Sequence, residues 1–135
     1  MFSFKDTFTS SMSIKRLIDD YKKHKNIIVA FDFDNTIYDY HHKGYRFDSV
    51  IELLRKCSDI GFTMVLFTAN EDESKLKLCK QYCSANGIRI DYINESPIMN
   101  TRKPYYNILL DDRAGLAESY YILSTVLHKL KLCKQ

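Results

Sequence analysis

The stretch VAFDFDNTI, residues 29–37, decides the fold. Its first half is an apolar run typical of a buried strand, and two aspartates, Asp32 and Asp34, stand two positions apart where that run ends. Residues i and i+2 of a strand point to the same side, so both carboxylates are expected to face the same space. Two like charges at the end of a buried strand are unfavourable unless that space holds something that attracts them.

Helix and strand patterns alternate on both sides of this stretch. The predicted helices are residues 13–25, 49–61, 71–86 and 114–132, and the predicted strands are residues 26–33, 62–68, 88–93 and 106–111. Short apolar strands that alternate with helices predict an α/β fold. The expected form is a Rossmann-like three-layer sandwich, with a mostly parallel sheet of about four strands and helices on both faces. Ligands bind such sheets at the carboxyl ends of the strands.

Length and composition fit one domain. The 135 residues are 45% hydrophobic, which is enough for a core, so residues 1–135 are expected to form a single domain with 1–12 as a loose N-terminal segment. The sequence has no apolar run of about 18 residues and no apolar leader, which predicts a cytoplasmic protein without a membrane partner. A net charge of +3 is too small to argue for nucleic-acid binding by itself.

The segment KLKLCKQ occurs twice, at residues 75–81 and 129–135. Both copies fall on basic, half-apolar helix patterns, so a plain amphipathic helix and a basic binding surface both remain open. Nothing else around the two copies repeats, which argues against an internal duplication. The chain has four cysteines, and their spacing matches neither a disulfide framework nor a paired zinc site, so reduced structural thiols are expected.

Polar residues also follow the other predicted strands. The residues at or near the carboxyl ends are Asp32, Asp34, Thr68, Asp111 and Asp112, and Lys103 precedes the fourth strand. In a parallel sheet these ends share one edge, so the carboxylates are expected to converge. Such a cluster repels itself unless a cation binds there, and carboxylate oxygens favour magnesium. A single aspartate after an apolar run is usually only a strand end, but two pairs accompanied by a threonine and a lysine are rarely accidental.

These residues resemble the four motifs of the haloacid dehalogenase (HAD) superfamily of phosphohydrolases. DFDNT, residues 32–36, is similar to the first motif, Asp-x-Asp-x-Thr. The second is a threonine after an apolar strand, here Thr68, the third is a lysine, here Lys103, and the fourth is an acidic pair, here residues 111–112. Many members have glycine where this chain has Asn35, a residue that tolerates the left-handed conformation better than most.

The resemblance implies a magnesium-dependent phosphatase that works through an aspartyl-phosphate. Asp32 would be the nucleophile, and Asp34 would be the general acid and base. Thr68 and Lys103 would hold the phosphoryl oxygens as the other two catalytic residues. The Mg²⁺ ligands would come from Asp32, the main-chain carbonyl of Asp34, and Asp111, with Asp112 supporting the metal shell.

Neither gap between the motifs is long enough for the cap domain that many HAD enzymes carry. The resemblance therefore implies an open, capless site, unless a second subunit of a homo-oligomer covers it. The loop after the nucleophile is aromatic and basic, which favours contact with a nucleobase and a second phosphate, although its tyrosines are equally consistent with core packing. The predicted substrate-binding residues are Asn35, Thr36, Tyr38, Tyr40, Arg46 and Asn70.

Two short segments suggest a class of substrate. TRK, residues 101–103, and DDR, residues 111–113, resemble the phosphatase half of phage polynucleotide kinase-phosphatase, and DDR recurs among the 5′-deoxyribonucleotidases. This resemblance implies a nucleotide or a nucleic-acid 3′-phosphate end as the phosphorylated partner. A phosphotransferase, a phosphatase of sugar or other small-molecule phosphates, and a catalytically silent HAD-like binding module remain alternatives.

Overall fold

The computed structural model describes residues 8–132. The elements are α1 (Ser10–His24), β1 (Ile28–Asp32), α2 (Asp48–Ile60), β2 (Thr63–Phe67), α3 (Glu73–Ala85), β3 (Tyr92–Ile93), β4 (Ile108–Leu110) and α4 (Leu116–Lys129). The described strands form one sheet in the order β3-β2-β1-β4, and every neighbouring pair is parallel. The predicted Rossmann-like α/β fold is confirmed, and no cap domain interrupts residues 8–132.

The two faces of the sheet are covered in different ways. A large buried cluster joins side chains of all four described helices to Val29, Phe31, Met64 and Leu66 on one face of the sheet. A small cluster on the other face contains only strand and loop residues, namely Ile28, Ala30 and Val65, with Phe67, Tyr92, Tyr105 and Leu109 packed against them. Helices were expected on both faces. Within residues 8–132, the proline-containing connection from β3 to β4 covers the second face through Tyr105 instead.

Two boundaries differ from the sequence prediction. Strand β3 has two residues rather than six, because side chains replace its ladder: the Met64 amide donates to the Asp91 carboxylate, and the Arg89 amide donates to the Ser58 hydroxyl. Helix α1 begins at Ser10, so residues 10–12 of the segment expected to be loose are helical. The Thr9 hydroxyl caps this helix by accepting from the Met12 amide at 3.2 Å. The part of that segment before residue 8 lies outside the described residues.

The described cysteines agree with the expectation of structural thiols. Cys57, Cys79 and Cys83 are buried, whereas Cys133, in the second KLKLCKQ copy, lies outside the described residues. Burial raises the pKa of Cys79 to about 11 and that of Cys83 to about 12, so both are protonated at neutral pH. Over residues 8–132, no helix combines the length and the apolar character that a membrane crossing requires.

Candidate active site

The loop that follows β1 is a tight turn built on one carbonyl. The Phe33 oxygen accepts hydrogen bonds from the amides of Thr36, Ile37 and Tyr38. Asn35 adopts a left-handed backbone with φ 60°, and its amide donates to the Tyr38 carbonyl at 2.8 Å. The expected tolerance of asparagine for this conformation is confirmed here. The turn brings the side chain of Thr36 back beneath the carboxylate at the end of β1.

Thr36 links two ends of the sheet that are remote in sequence. Its side chain is fully buried, and its hydroxyl donates to Asp32 Oδ2 at 3.0 Å. The Thr36 hydroxyl oxygen also accepts a hydrogen bond from the Asp112 backbone amide at 3.0 Å and lies 3.4 Å from Asp112 Oδ1. Because buried polar groups are stable only when paired, this hydroxyl fixes the loop after β4 against the loop after β1. Thr36 was predicted to bind substrate, and in the structure its hydroxyl contacts Asp32 and Asp112.

Three carboxylates meet at this point. One oxygen each from Asp32, Asp111 and Asp112 lies within 4.8 Å of the others. Asp32 and Asp111 are half-buried, and Asp112 is exposed. Asp34 lines the same cleft but does not belong to this group. Oxygen-only donors at this separation fit the preference of Mg²⁺, which binds proteins through one or two carboxylates and keeps several waters.

The electrostatics of the cluster are unfavourable without a cation. Burial and, to a smaller extent, the negative charge of Asp111 together raise the pKa of Asp32 from an ordinary 3.8 to about 7, against the hydrogen bond from Thr36. Burial also raises the pKa of Asp34, although the positive charge of Lys75 opposes that shift. A cation at the cluster would restore the ionised form of Asp32, so these residues fit the predicted metal on chemical grounds.

Thr68 stands on the β2 side of the cleft, as expected. The Asn94 side chain fixes its backbone, since Asn94 Oδ1 accepts the Thr68 amide at 2.8 Å and Asn94 Nδ2 donates to the Thr68 carbonyl at 2.9 Å. The Thr68 hydroxyl accepts the Asn70 amide at 3.1 Å. Both Thr68 and Asn70 line the cleft, so these hydrogen bonds hold the short segment after β2 where it faces the carboxylates.

The cleft has a volume of about 680 Å³ and lies at the carboxyl edge of the sheet. Its outer wall includes Tyr40, which is 42% exposed, together with His41. The Tyr40 and His41 rings meet edge to face, with centroids 4.9 Å apart. Arg113 lines the cleft on the β4 side. An aromatic ring and cationic groups around a carboxylate centre suit an anionic substrate that carries an apolar or aromatic part.

Three predicted residues lie elsewhere. Tyr38 packs on the core, stacked on Phe33 with ring centroids 4.9 Å apart and edge to face with Tyr82 at 5.2 Å. Arg46 is exposed, does not line the cleft and pairs with Asp48 at 2.7 Å. Lys103 is exposed in the connection from β3 to β4 and also does not line the cleft. Tyr38 lies on the core because the tight turn after β1 directs the chain back onto Phe33.

The residues at the site that were not predicted from the sequence include Asn94, Arg113 and Lys75. Asn94 directly follows the third predicted strand. Thr68 was identified because polar residues at the carboxyl ends of parallel strands share one edge of the sheet, and the same reasoning applies to Asn94. Arg113 follows the acidic pair and was noted only as part of a resemblance. Lys75 gave no signal, because it belongs to a helix pattern and its Nζ reaches the site only through the packing of α3, 5.5 Å from the centre of the Tyr40 ring.

Comparison with known proteins supports the fold but does not indicate a function. No family model and no curated protein matches the sequence. Among solved structures, the chain is similar to a conserved protein from Bacteroides thetaiotaomicron, with a TM-score of 0.59 and 21% sequence identity. The match covers 82% of this chain and 99% of the other. Identity at this level shows a shared fold alone.

Proposed function

We propose that this protein is a magnesium-dependent phosphomonoester hydrolase of the HAD type that forms an aspartyl-phosphate. The observation that supports it most directly is the meeting of Asp32, Asp111 and Asp112 oxygens within 4.8 Å at the carboxyl end of the parallel sheet. Two of these carboxylates lie at strand ends remote in sequence, and the buried Thr36 hydroxyl holds them together. Aspartates that merely cap a helix or end a strand are not required to converge in this way.

The proposed reaction has two steps at phosphorus. A carboxylate oxygen of Asp32 attacks the phosphoryl group, the bond from phosphorus to the leaving oxygen breaks, and Asp34 gives that oxygen a proton. Asp34 then takes a proton from a water that attacks the aspartyl-phosphate, which releases phosphate and restores the Asp32 carboxylate. A raised pKa suits Asp34 for this exchange, because it must be protonated in the first step and ionised in the second.

Other residues orient the phosphoryl group and the metal. Thr68 lines the cleft beside the carboxylates, with its backbone held by Asn94, and it would donate to a phosphoryl oxygen. Asp32, Asp111, Asp112 and the main-chain carbonyl of Asp34 would hold Mg²⁺. When bound, Mg²⁺ supplies positive charge that stabilises the extra negative charge of the transition state.

The proposed substrate is a nucleotide or a nucleic-acid 3′-phosphate end. Tyr40 and His41 support it, because they form an aromatic wall beside Asp34 in a cleft open to solvent. An open cleft admits a large leaving group, and base stacking on an aromatic ring is worth about 1–3 kcal/mol. A sugar phosphate would gain less from that wall, so it remains the second choice among phosphatase substrates.

One experiment tests the proposal. The purified protein should hydrolyse p-nitrophenyl phosphate in millimolar magnesium and lose that activity in chelator, with recovery when magnesium is restored. The Asp34→Asn variant should lose most of the rate, because no base then activates the water that hydrolyses the aspartyl-phosphate. Absence of turnover with magnesium, manganese and cobalt alike would overturn the proposal.

The exposed position of Lys103 supports one alternative, a HAD-like module that binds phosphorylated partners without hydrolysing them. In the described conformation, this lysine does not line the cleft of the carboxylates that its positive charge would balance. The two functions differ in a direct measurement. A binding module would retain a phosphorylated oligonucleotide unchanged over hours, whereas a phosphatase would release inorganic phosphate from it.

A further inference from the structure

Lys75 is a cation beside the cleft that the proposed function does not use. It lies in the first turn of α3, the helix that follows β2, and its side chain is exposed. Its Nζ stands over the Tyr40 ring, 5.5 Å from the centroid, which is the geometry of a cation–π contact. Within residues 8–132, no ion pair involves Lys75, whereas Arg46 on the neighbouring loop pairs with Asp48.

The charge of Lys75 acts on one side of the site. Its ammonium lies over the ring of Tyr40, and Tyr40 lines the cleft together with Asp34. Lys75 therefore stands on the Tyr40 side of the cleft, and the helix that carries it follows β2. Arg113 follows β4 and lines the opposite flank of the cleft.

We propose that Lys75 is a specificity-determining residue that binds a second anionic group on the leaving group of the substrate. This inference rests on the proposed hydrolase function and deepens it. The preferred substrate is then a phosphomonoester whose leaving group carries both a ring that contacts Tyr40 and a further phosphate. A nucleoside 3′,5′-bisphosphate and a 3′-phosphorylated oligonucleotide share that chemistry, the first with a terminal phosphate and the second with a phosphodiester.

The position of the contacts explains why the second anion, rather than the scissile phosphoryl group, is the partner of Lys75. The phosphoryl group must lie within bonding reach of Asp32 and next to Thr68, among residues that line the floor of the cleft. Lys75 is outside that lining and reaches the cleft only over the ring of Tyr40. A leaving group that passes Asp34 toward solvent meets Tyr40 first and the Lys75 ammonium beside it.

The test compares four proteins on four substrates. The proteins are the wild type, Lys75→Gln, Lys75→Arg and the matched control Lys77→Gln, which removes an exposed lysine two positions further along α3. The substrates are p-nitrophenyl phosphate, a nucleoside 3′-monophosphate, the corresponding 3′,5′-bisphosphate and a 3′-phosphorylated dinucleotide. For Lys75→Gln, the kcat/KM ratio of either doubly anionic substrate to the monophosphate should fall about tenfold, mainly through KM, because one charged hydrogen bond is lost.

The control variants make the outcome specific. Lys75→Arg should restore most of the preference, and Lys77→Gln should behave as the wild type on all four substrates. An equal loss on every substrate, or no loss of the preference in Lys75→Gln, would overturn the assignment of Lys75 while leaving the hydrolase standing. Failure of the wild type on p-nitrophenyl phosphate would instead remove the hydrolase itself, and this inference with it.

Discussion

The two ends of the sheet treat their polar side chains in opposite ways. At the amino end, Asn26 bonds to Thr63 across β1 and β2, and Asn107 accepts the Ile28 amide in front of β4. Arg89 donates to Asp91 at 2.8 Å and to the carbonyls of Ser58, in the last turn of α2, and Phe62, just before β2. At the carboxyl end, three carboxylates are gathered within 4.8 Å. One end pairs unlike groups, and the other concentrates like charges.

Two aspartates show what that difference means in free energy. Burial raises the pKa of Asp91, but the hydrogen bonds from Arg89 and from the Met64 amide outweigh it and hold the pKa below its usual range. Burial and the charge of Asp111 together raise the pKa of Asp32 to about 7. Ionisation of Asp91 therefore stabilises the fold, whereas ionisation of Asp32 opposes it. The amino end contributes stability, and the carboxyl end spends some of it on a site that attracts a cation.

The largest expected effect comes from the same substitution made at each end. Asp32→Asn should lower kcat for p-nitrophenyl phosphate by at least about a thousandfold, because the covalent route is lost. It should leave the free energy of unfolding in chelator equal or higher, because a repelled charge is removed. The matched variant Asp91→Asn should do the reverse, with lower stability and an unchanged rate. Urea unfolding and initial rates on both proteins measure this, and a stability loss in both variants would erase the proposed contrast.

The next effect concerns the arginine of the amino end. Arg89→Met keeps much of the apolar stem but removes the hydrogen bonds to Asp91, Ser58 and Phe62. Because this side chain is 43% exposed, we expect a loss of roughly 1–3 kcal/mol in the free energy of unfolding, with kcat unaffected. Denaturant midpoints in magnesium give the first quantity. A rate that falls along with stability would show that the two ends are coupled.

A smaller effect should appear in the pH dependence of stability without metal. The folded pKa of Asp32, about 7, lies above the ordinary 3.8, so its favourable contribution is complete below 3.8 and is lost as the pH rises to about 7. In chelator, the melting temperature should therefore fall as the pH rises from about 4 to about 7, and Asp32→Asn should flatten that slope. Saturating magnesium should reduce the slope as well. An identical slope in the wild type and the variant would exclude Asp32 as its source.

The smallest expected effect concerns two residues that adopt the left-handed backbone conformation. Lys25 ends α1 beside the amino end with φ 56°, and Asn35 lies in the turn at the carboxyl end with φ 60°. Lys25→Gly should raise the free energy of unfolding by roughly 0.5–1 kcal/mol, because glycine adopts this backbone without strain. Asn35→Gly should gain less, since asparagine already tolerates it. Thermal melts resolve the order, and a larger gain at Asn35 would contradict it.

The sequence predicted those parts of the site that follow from strand geometry. Asp32, Asp34, Thr68 and the acidic pair were identified because parallel strands end at one edge, and all of them line the cleft. Asn94 could have been identified by the same rule, had the third strand been followed one residue further.

Loop residues were harder to predict, because their spacing along the chain does not show whether a side chain points into the core or into the cleft. Tyr38 and Tyr40 are two positions apart, yet a turn built on the Phe33 carbonyl sends the first into the core and leaves the second at the cleft. The predicted length of β3 was wrong for a related reason. The Asp91 side chain accepts the Met64 amide, which a carbonyl of the third strand would otherwise accept.

The link through Thr36 also sets an order of events during synthesis of the chain. Its hydroxyl joins residues 76 positions apart, and Asn107 caps the start of β1 across 79 positions. A nascent chain that has released only the first three strands has the DFDNT turn but none of the carboxylates that follow β4. Contacts over such distances close late in folding, because the loop entropy must be overcome first. The cluster of carboxylates proposed to bind a cation is therefore completed only when nearly the whole domain has left the ribosome, and incomplete chains do not carry it.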